Sequence, residues 1–190
     1  MEYKSKEELY ASWWLDDLKE KGIIIKYWYE SNTFILSDAV WYLYRKPLIT
    51  KVKELKAELL EGHEYTPDFL VQWNKEYEGI FYRLLDKNDY TTKPPFFANT
   101  STRDDGHYSF FEVKPNFDQN NMTRLFRITQ KWMYERWKLY VDLIIMPNLF
   151  KKTFVPNRYL KTDKATTMRK INFDIRSVDE YIKWLKLKIK

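Results

Sequence analysis

Two stretches of this chain are apolar enough to head for a core, yet each carries acid at one end. "YTPDFLVQW" (65–73) puts Asp68 at the mouth of the run Phe69-Leu70-Val71, after the turn-forming Thr66-Pro67. "YSFFEVKPN" (108–116) closes an equally apolar run with Glu112 and Lys114, and Pro115 stops it. Aromatic and β-branched content makes both of them strands. If they are neighbours, about 4.8 Å apart, the two carboxylates meet at one edge of a sheet. Strand alternation puts Glu112 and Lys114 on the same face, because their spacing is two.

The rest of the chain supplies the remaining layers. "KSKEELYASWWLDDLKEKG" predicts a helix over about 5–21, with Ser5 as N-cap, Glu8 three residues on and Gly22 at the end. "IIIKYWY" (23–29) is a strand, and "TFILSD" continues or pairs with it. Leu48, Val52, Leu55 and Leu59 predict a second helix over 47–61. "EGIFYRLL" (78–85) reads as a hairpin partner of 68–73, and 86–106, with two prolines, as a long loop. The spacing of Leu125, Ile128 and Trp132 predicts a helix, "YVDLIIMP" (140–147) a buried strand and "RKINFDIR" (169–176) a weaker one. "SVDEYIKWLKLKIK" is a C-terminal helix capped by Ser177 and Glu180. This order implies α/β architecture, a mixed central sheet flanked by helices, in one domain over 1–190.

Composition narrows the chemistry. Zero Cys removes disulfides, thiolate catalysis and Cys-based zinc sites, and two His make a His-rich metal site improbable. A metal here would be held by oxygen, which favours Mg²⁺ or Mn²⁺. With 4 Gly, a glycine-rich nucleotide loop is disfavoured. No window approaches a membrane span and the N-terminus has no apolar signal core, so the expectation is a cytoplasmic protein with no membrane partner. The net charge of +6 is uneven, with 12 Lys and Arg against 4 acids in 151–190. Such a basic segment suits a nucleic-acid partner, and equally a solvated tail.

Asp68 and Glu112 can hold one divalent ion, with the Val113 carbonyl completing the set and Lys114 orienting water or phosphate. Acid-x-Lys alone says little, since Glu2/Lys4, Asp17/Lys19 and Glu54/Lys56 also fit it, but only Glu112/Lys114 lies in a strongly apolar strand pattern. Its plain alternative is an edge strand whose Glu and Lys face water.

Pro67-Asp68 followed by Glu112-Val113-Lys114 resembles the PD-(D/E)XK nuclease superfamily, and "YTPDFLV…FFEVKP" looks like the strand pair of TnsA-type transposition endonucleases and their phage relatives. That resemblance implies a restriction-endonuclease-like core over about 5–147, with 37–62 and 86–106 as insertions and 148–190 as a basic extension packed on it. It implies that Glu8, on the first helix, helps bind metal, with Glu7 as the fallback. Glu8 is also half of a capping box. "QKWMY" resembles the Gln-x-x-x-Tyr motif of RecB-like nucleases, so Gln130 and Tyr134, one helical turn apart, are candidate substrate contacts; the alternative is a polar-face Gln beside a core Tyr. Arg124, Arg127, Lys131 and Lys138 form a basic stripe on the same helix, suited to phosphate or simply to water. The implied activity is Mg²⁺-dependent hydrolysis of DNA, with Mn²⁺ as substitute, in phage or mobile-element DNA processing. Double-strand cutting would call for a homodimer, because each site cuts one strand. The rival reading is a non-catalytic nucleic-acid-binding module on a nuclease fold.

Overall fold

Ser5 starts the first helix as expected: its Oγ accepts from the Glu8 amide at 3.1 Å and donates to Glu8 Oε1 at 2.9 Å. The structure, a computed structural model, describes residues 2–87, 89–90, 93–103, 105–117, 122–162 and 167–188. Helix α1 (Lys6–Glu20) leads into β1 (Ile24–Tyr29), β2 (Phe34–Ser37), β3 (Val40–Pro47), β4 (Val52–Leu60), β5 (His63–Tyr65) and β6 (Phe69–Trp73). Then follow β7 (Tyr82–Leu84), β8 (Ala98–Arg103), β9 (Gly106–Pro115), α2 (Met122–Trp137), β10 (Val141–Met146), α3 (Asn148–Lys152) and α4 (Val178–Lys188).

Strand β9 organises the main sheet, a mixed one in the order β1-β6-β9-β8-β7 with β10 also on β9. One edge of β9 pairs antiparallel with β6, from Trp73↔His107 to Phe69↔Phe111. The other edge is shared, antiparallel with β8 over Gly106–Tyr108 and parallel with β10 from Phe110 to Pro115. Both faces are covered, which is why the run "YSFFEV" is apolar at successive positions. Phe111 and Val113 join Trp14 and Leu18 of α1 in one buried cluster. Tyr108 and Phe110 join Phe126 and Met133 of α2, and Phe34 and Leu36 of β2, in the other. The C-terminal segment belongs to the α1 side, where Phe150, Phe154, Tyr181 and Leu185 are buried. Ser177 caps α4 through Glu180, as the sequence implies.

Five expectations fail here. The "TFILSD" strand neither continues nor pairs with β1: β2 pairs antiparallel with β5, from Phe34↔Tyr65 to Ser37↔His63. Residues 47–61 are not a helix: β3 and β4 form an antiparallel hairpin, Val40↔Leu60 to Pro47↔Val52. Leu48, Val52 and Leu59 are exposed, so the helical spacing has no surface to bury against, and packing is where most helix stability comes from. The preceding "VWYLY" is rich in strand formers and zips up instead. The 78–85 segment is not the partner of β6; only Tyr82–Leu84 is a strand, and it runs parallel to β8. The 86–106 loop contains β8, whose Thr- and Asn-rich sequence looks like a turn. Residues 169–176 form no strand, although Ile171 and Phe173 pack on the core.

Candidate active site

Asp68 and Glu112 meet because β6 and β9 are neighbours. One step beyond Phe69↔Phe111 in the same antiparallel register, Asp68 stands opposite Glu112. The Asp68 backbone carbonyl accepts from the Glu30 amide at 2.9 Å, which fixes this strand mouth against the end of β1. Its side chain reaches across the sheet, where Oδ2 accepts from the Val113 amide at 2.7 Å. Among the described residues no donor reaches Oδ1. Burial, and then the charge of Glu112, push the Asp68 carboxyl up to about 7.

Glu112 is buried and holds two donors: Tyr65 Oη at 2.8 Å on Oε2 and Lys114 Nζ at 2.5 Å on Oε1. Lys114 and Glu112 therefore share a face, as the spacing of two requires. Tyr65 ends β5, which pairs with β2 from Phe34↔Tyr65 to Ser37↔His63. Burial and then Glu112 raise the Tyr65 hydroxyl well above the usual phenol range, so it remains a donor.

Glu8 is buried at the start of α1, but its oxygens are engaged. Oε1 accepts from Ser5 Oγ, and Oε2 from the Lys4 amide at 3.0 Å and Tyr29 Oη at 2.6 Å. Its charge still helps to raise Asp68. Among the described residues, no three His, Asp or Glu side chains are grouped so as to chelate an ion.

Gln130 and Tyr134 lie elsewhere. Gln130 Nε2 donates to the Val141 carbonyl at 2.5 Å, at the start of β10. Val141 pairs with Phe110, two residues along the sheet from the Leu143↔Glu112 pair and four from Ile145↔Lys114, roughly 7 Å and 13 Å of strand. Both residues line an open cavity of about 430 Å³ with Leu85, Lys131 and Tyr140. Arg124, Arg127 and Lys131 are exposed along α2, with Arg124 nearest the helix start, whereas Lys138 lies just past the helix end with a φ of 55° and pairs with Glu135 at 3.6 Å.

Comparison with protein-family models, with curated proteins and with solved structures finds no significant match. The site must therefore be judged on its own geometry.

A second buried acid makes a useful control. Asp142, on β10, is also pushed up to about 7 by burial. Both of its oxygens are satisfied by Asn99, from the amide at 2.7 Å and from Nδ2 at 2.5 Å. Arg83 holds the Asn99 side chain at 2.8 Å, and Ser109 Oγ donates to the Asn99 carbonyl at 2.9 Å. This network stitches the fork where β9 exchanges β8 for β10, so Asp142 has a structural explanation. Asp68 faces a second carboxylate instead of a full set of donors.

Sequence reasoning missed Tyr65 and Tyr29, the donors to Glu112 and Glu8. Tyr65 is three residues before Asp68, but only the β2–β5 pairing brings it to Glu112. Tyr29 sits opposite Phe69 in the β1–β6 register, which no local signal gives.

Proposed function

We propose that this chain is a Mg²⁺-dependent DNA endonuclease of the PD-(D/E)XK kind, acting through Asp68, Glu112 and Lys114. The observation that carries the reading is a pair of facing carboxylates, one raised toward neutrality, with a lysine on the same face at one sheet end. Mg²⁺ keeps several waters and is held by one or two carboxylates plus substrate phosphates, so Asp68 and Glu112 fit it without a third acid. The all-oxygen donor set also fits Mn²⁺. The Val113 carbonyl would complete the set, and Glu8 would act on it through charge while its oxygens stay on Ser5, Tyr29 and Lys4.

When bound, the ion supplies the positive charge that lowers the pKa of water and steadies the leaving oxygen. The Val113 amide orients Asp68, and Tyr65 orients Glu112, so both carboxylates are preset. Lys114, moving from Glu112 to the reacting phosphate or water, supplies a cation beside the attack line. Water attacks phosphorus in line and gives up a proton to solvent, the opposite P–O ester bond breaks, and the leaving oxygen takes up a proton from solvent. Arg124, Arg127 and Lys131 would contact backbone phosphate, while Gln130 and Tyr134 would contact substrate at a distance from the chemistry. Phage or mobile-element DNA processing in the cytoplasm, with a homodimer for double-strand cuts, is the setting that suits such an activity. Among the described residues no helix is long and apolar enough to cross a membrane.

The test is a cleavage panel of linear duplex, single strand, flap, fork and four-way junction, with Mg²⁺ and with EDTA. Mg²⁺-dependent cutting of at least one substrate is expected. Inertness on all of them, with Mg²⁺ and with Mn²⁺, would overturn the reading.

A further inference from the structure

The hairpin β3–β4 spans roughly 26 Å at 3.3 Å per residue, and every residue of β3 is exposed. Among the described residues it pairs with no other strand, and an isolated two-stranded ribbon is marginal in water. Its tip is chemically distinctive. Pro47-Leu48-Ile49-Thr50-Lys51 closes the turn, with the Leu48 amide on the Lys51 carbonyl at 2.8 Å and Ile49 fully exposed. Basic residues surround this apolar point. Arg45 pairs with Glu54 at 3.0 Å. Lys46 and Lys53 stand directly opposite each other in the register. Like charges in that position repel, and among the described residues no carboxylate pairs with Lys46, Lys51 or Lys53. A polyanion at the tip would remove that repulsion.

The ribbon is also tied to the candidate active site. It leaves the body between β2 and β5, which pair with each other, and β5 ends at Tyr65 on Glu112. An anionic chain gripped by the ribbon is therefore connected through one short strand to the carboxylate pair.

We infer that β3–β4 is a duplex-DNA-gripping arm, with Lys46, Lys51 and Lys53 on backbone phosphates and the Leu48–Ile49 tip against base edges in a groove. The major groove admits a two-stranded ribbon, and thymine methyl groups there accept apolar contact. The inference rests on the nuclease reading for its choice of polyanion and is tested separately from it.

The experiment compares Asp68→Asn with Asp68→Asn carrying K46Q, K51Q and K53Q, using a short labelled duplex titrated at several salt concentrations. All three lysines are exposed, so the fold should persist, and an unchanged melting temperature checks this. The arm variant should bind about tenfold or more weaker, with a log–log salt slope smaller by roughly 2–3, since each lost phosphate contact is worth about 0.9. Equal affinity and slope would overturn the inference, even if the parent cleaves DNA with Mg²⁺. Slope loss would support it, even if the parent proves unable to cleave. Two further results would overturn it: tip-dependent binding to phosphatidylserine vesicles with DNA binding unaffected, and a dimer by light scattering that only the arm variant loses.

Discussion

The β6–β9 pair and the β3–β4 pair are both antiparallel, both aromatic-rich, and both carry a Glu-x-Lys triplet, yet their surroundings are opposite. In the first, Phe69, Val71, Trp73 and Phe111 are buried on the α1 face, and Leu70, Tyr108 and Phe110 on the α2 face. In the second, Trp41, Tyr42, Leu43 and Tyr44 are exposed. Apolar content does not decide burial; a covering layer on each face does. The same contrast separates the triplets. Glu112 is buried, Lys114 is half-buried beside it, and a second carboxylate faces the pair. Glu54–Lys56 is exposed, with Lys56 set over the Trp41 ring at 4.6 Å.

The largest expected difference is in stability. Phe111→Ala should cost about 3–5 kcal/mol, because it leaves a cavity in a packed interior. Trp41→Ala should stay within about 0.5 kcal/mol, as surface changes do. Chemical denaturation of both variants reads the difference, and equal costs would mean that the arm is packed after all.

Catalysis separates the triplets next. Lys114→Ala should lower turnover by about 10²–10⁴-fold, the range for a positioned proton-handling group, while Mn²⁺ binding by calorimetry is retained. Lys56→Ala should leave turnover at the parent level. A Lys114→Ala variant that cleaves as the parent does would make Lys114 a structural cation.

What the sequence made legible follows the same division. Caps and sequence-local periods gave α1, α2 and α4, and continuous apolar runs gave β6, β9 and β10. The meeting of Asp68 with Glu112 was legible because it depends only on those two strands being neighbours. The arm was misread because Leu48, Val52, Leu55 and Leu59 have helical spacing, and spacing cannot tell whether a surface is there to receive them. Strand β8 was lost because Asn99, Thr100 and Ser101 resemble turn residues, although Thr100 is buried against Ser109 at 3.1 Å. Gln130 and Tyr134 were correctly set on a helix, but their distance from the acids depends on which way that helix runs across the sheet. Tyr65 depends on a strand pairing that three residues of sequence cannot announce.

A smaller effect should appear with pH. Asp68 and Asp142 are both raised from 3.8 to about 7 by burial. Each binds more protons folded than unfolded between those values, so the stability it contributes is full below about 4 and falls as pH rises toward 7. In ion-free buffer the melting temperature should therefore decline between pH 5 and 8, more weakly in Asp68→Asn, with Asp142 supplying the remainder. Added Mg²⁺ should recover part of the loss in the parent and none in Asp68→Asn. A parent and variant with identical pH profiles would show that Asp68 is not strained by its site.

The central claim is that Asp68 serves the reaction, and conversion of supercoiled plasmid tests it most directly. The parent should nick or linearise the plasmid with Mg²⁺ and stop with EDTA. Asp68→Asn, folded and still binding duplex, should leave the plasmid supercoiled. Conversion by Asp68→Asn at the parent's rate would contradict the account.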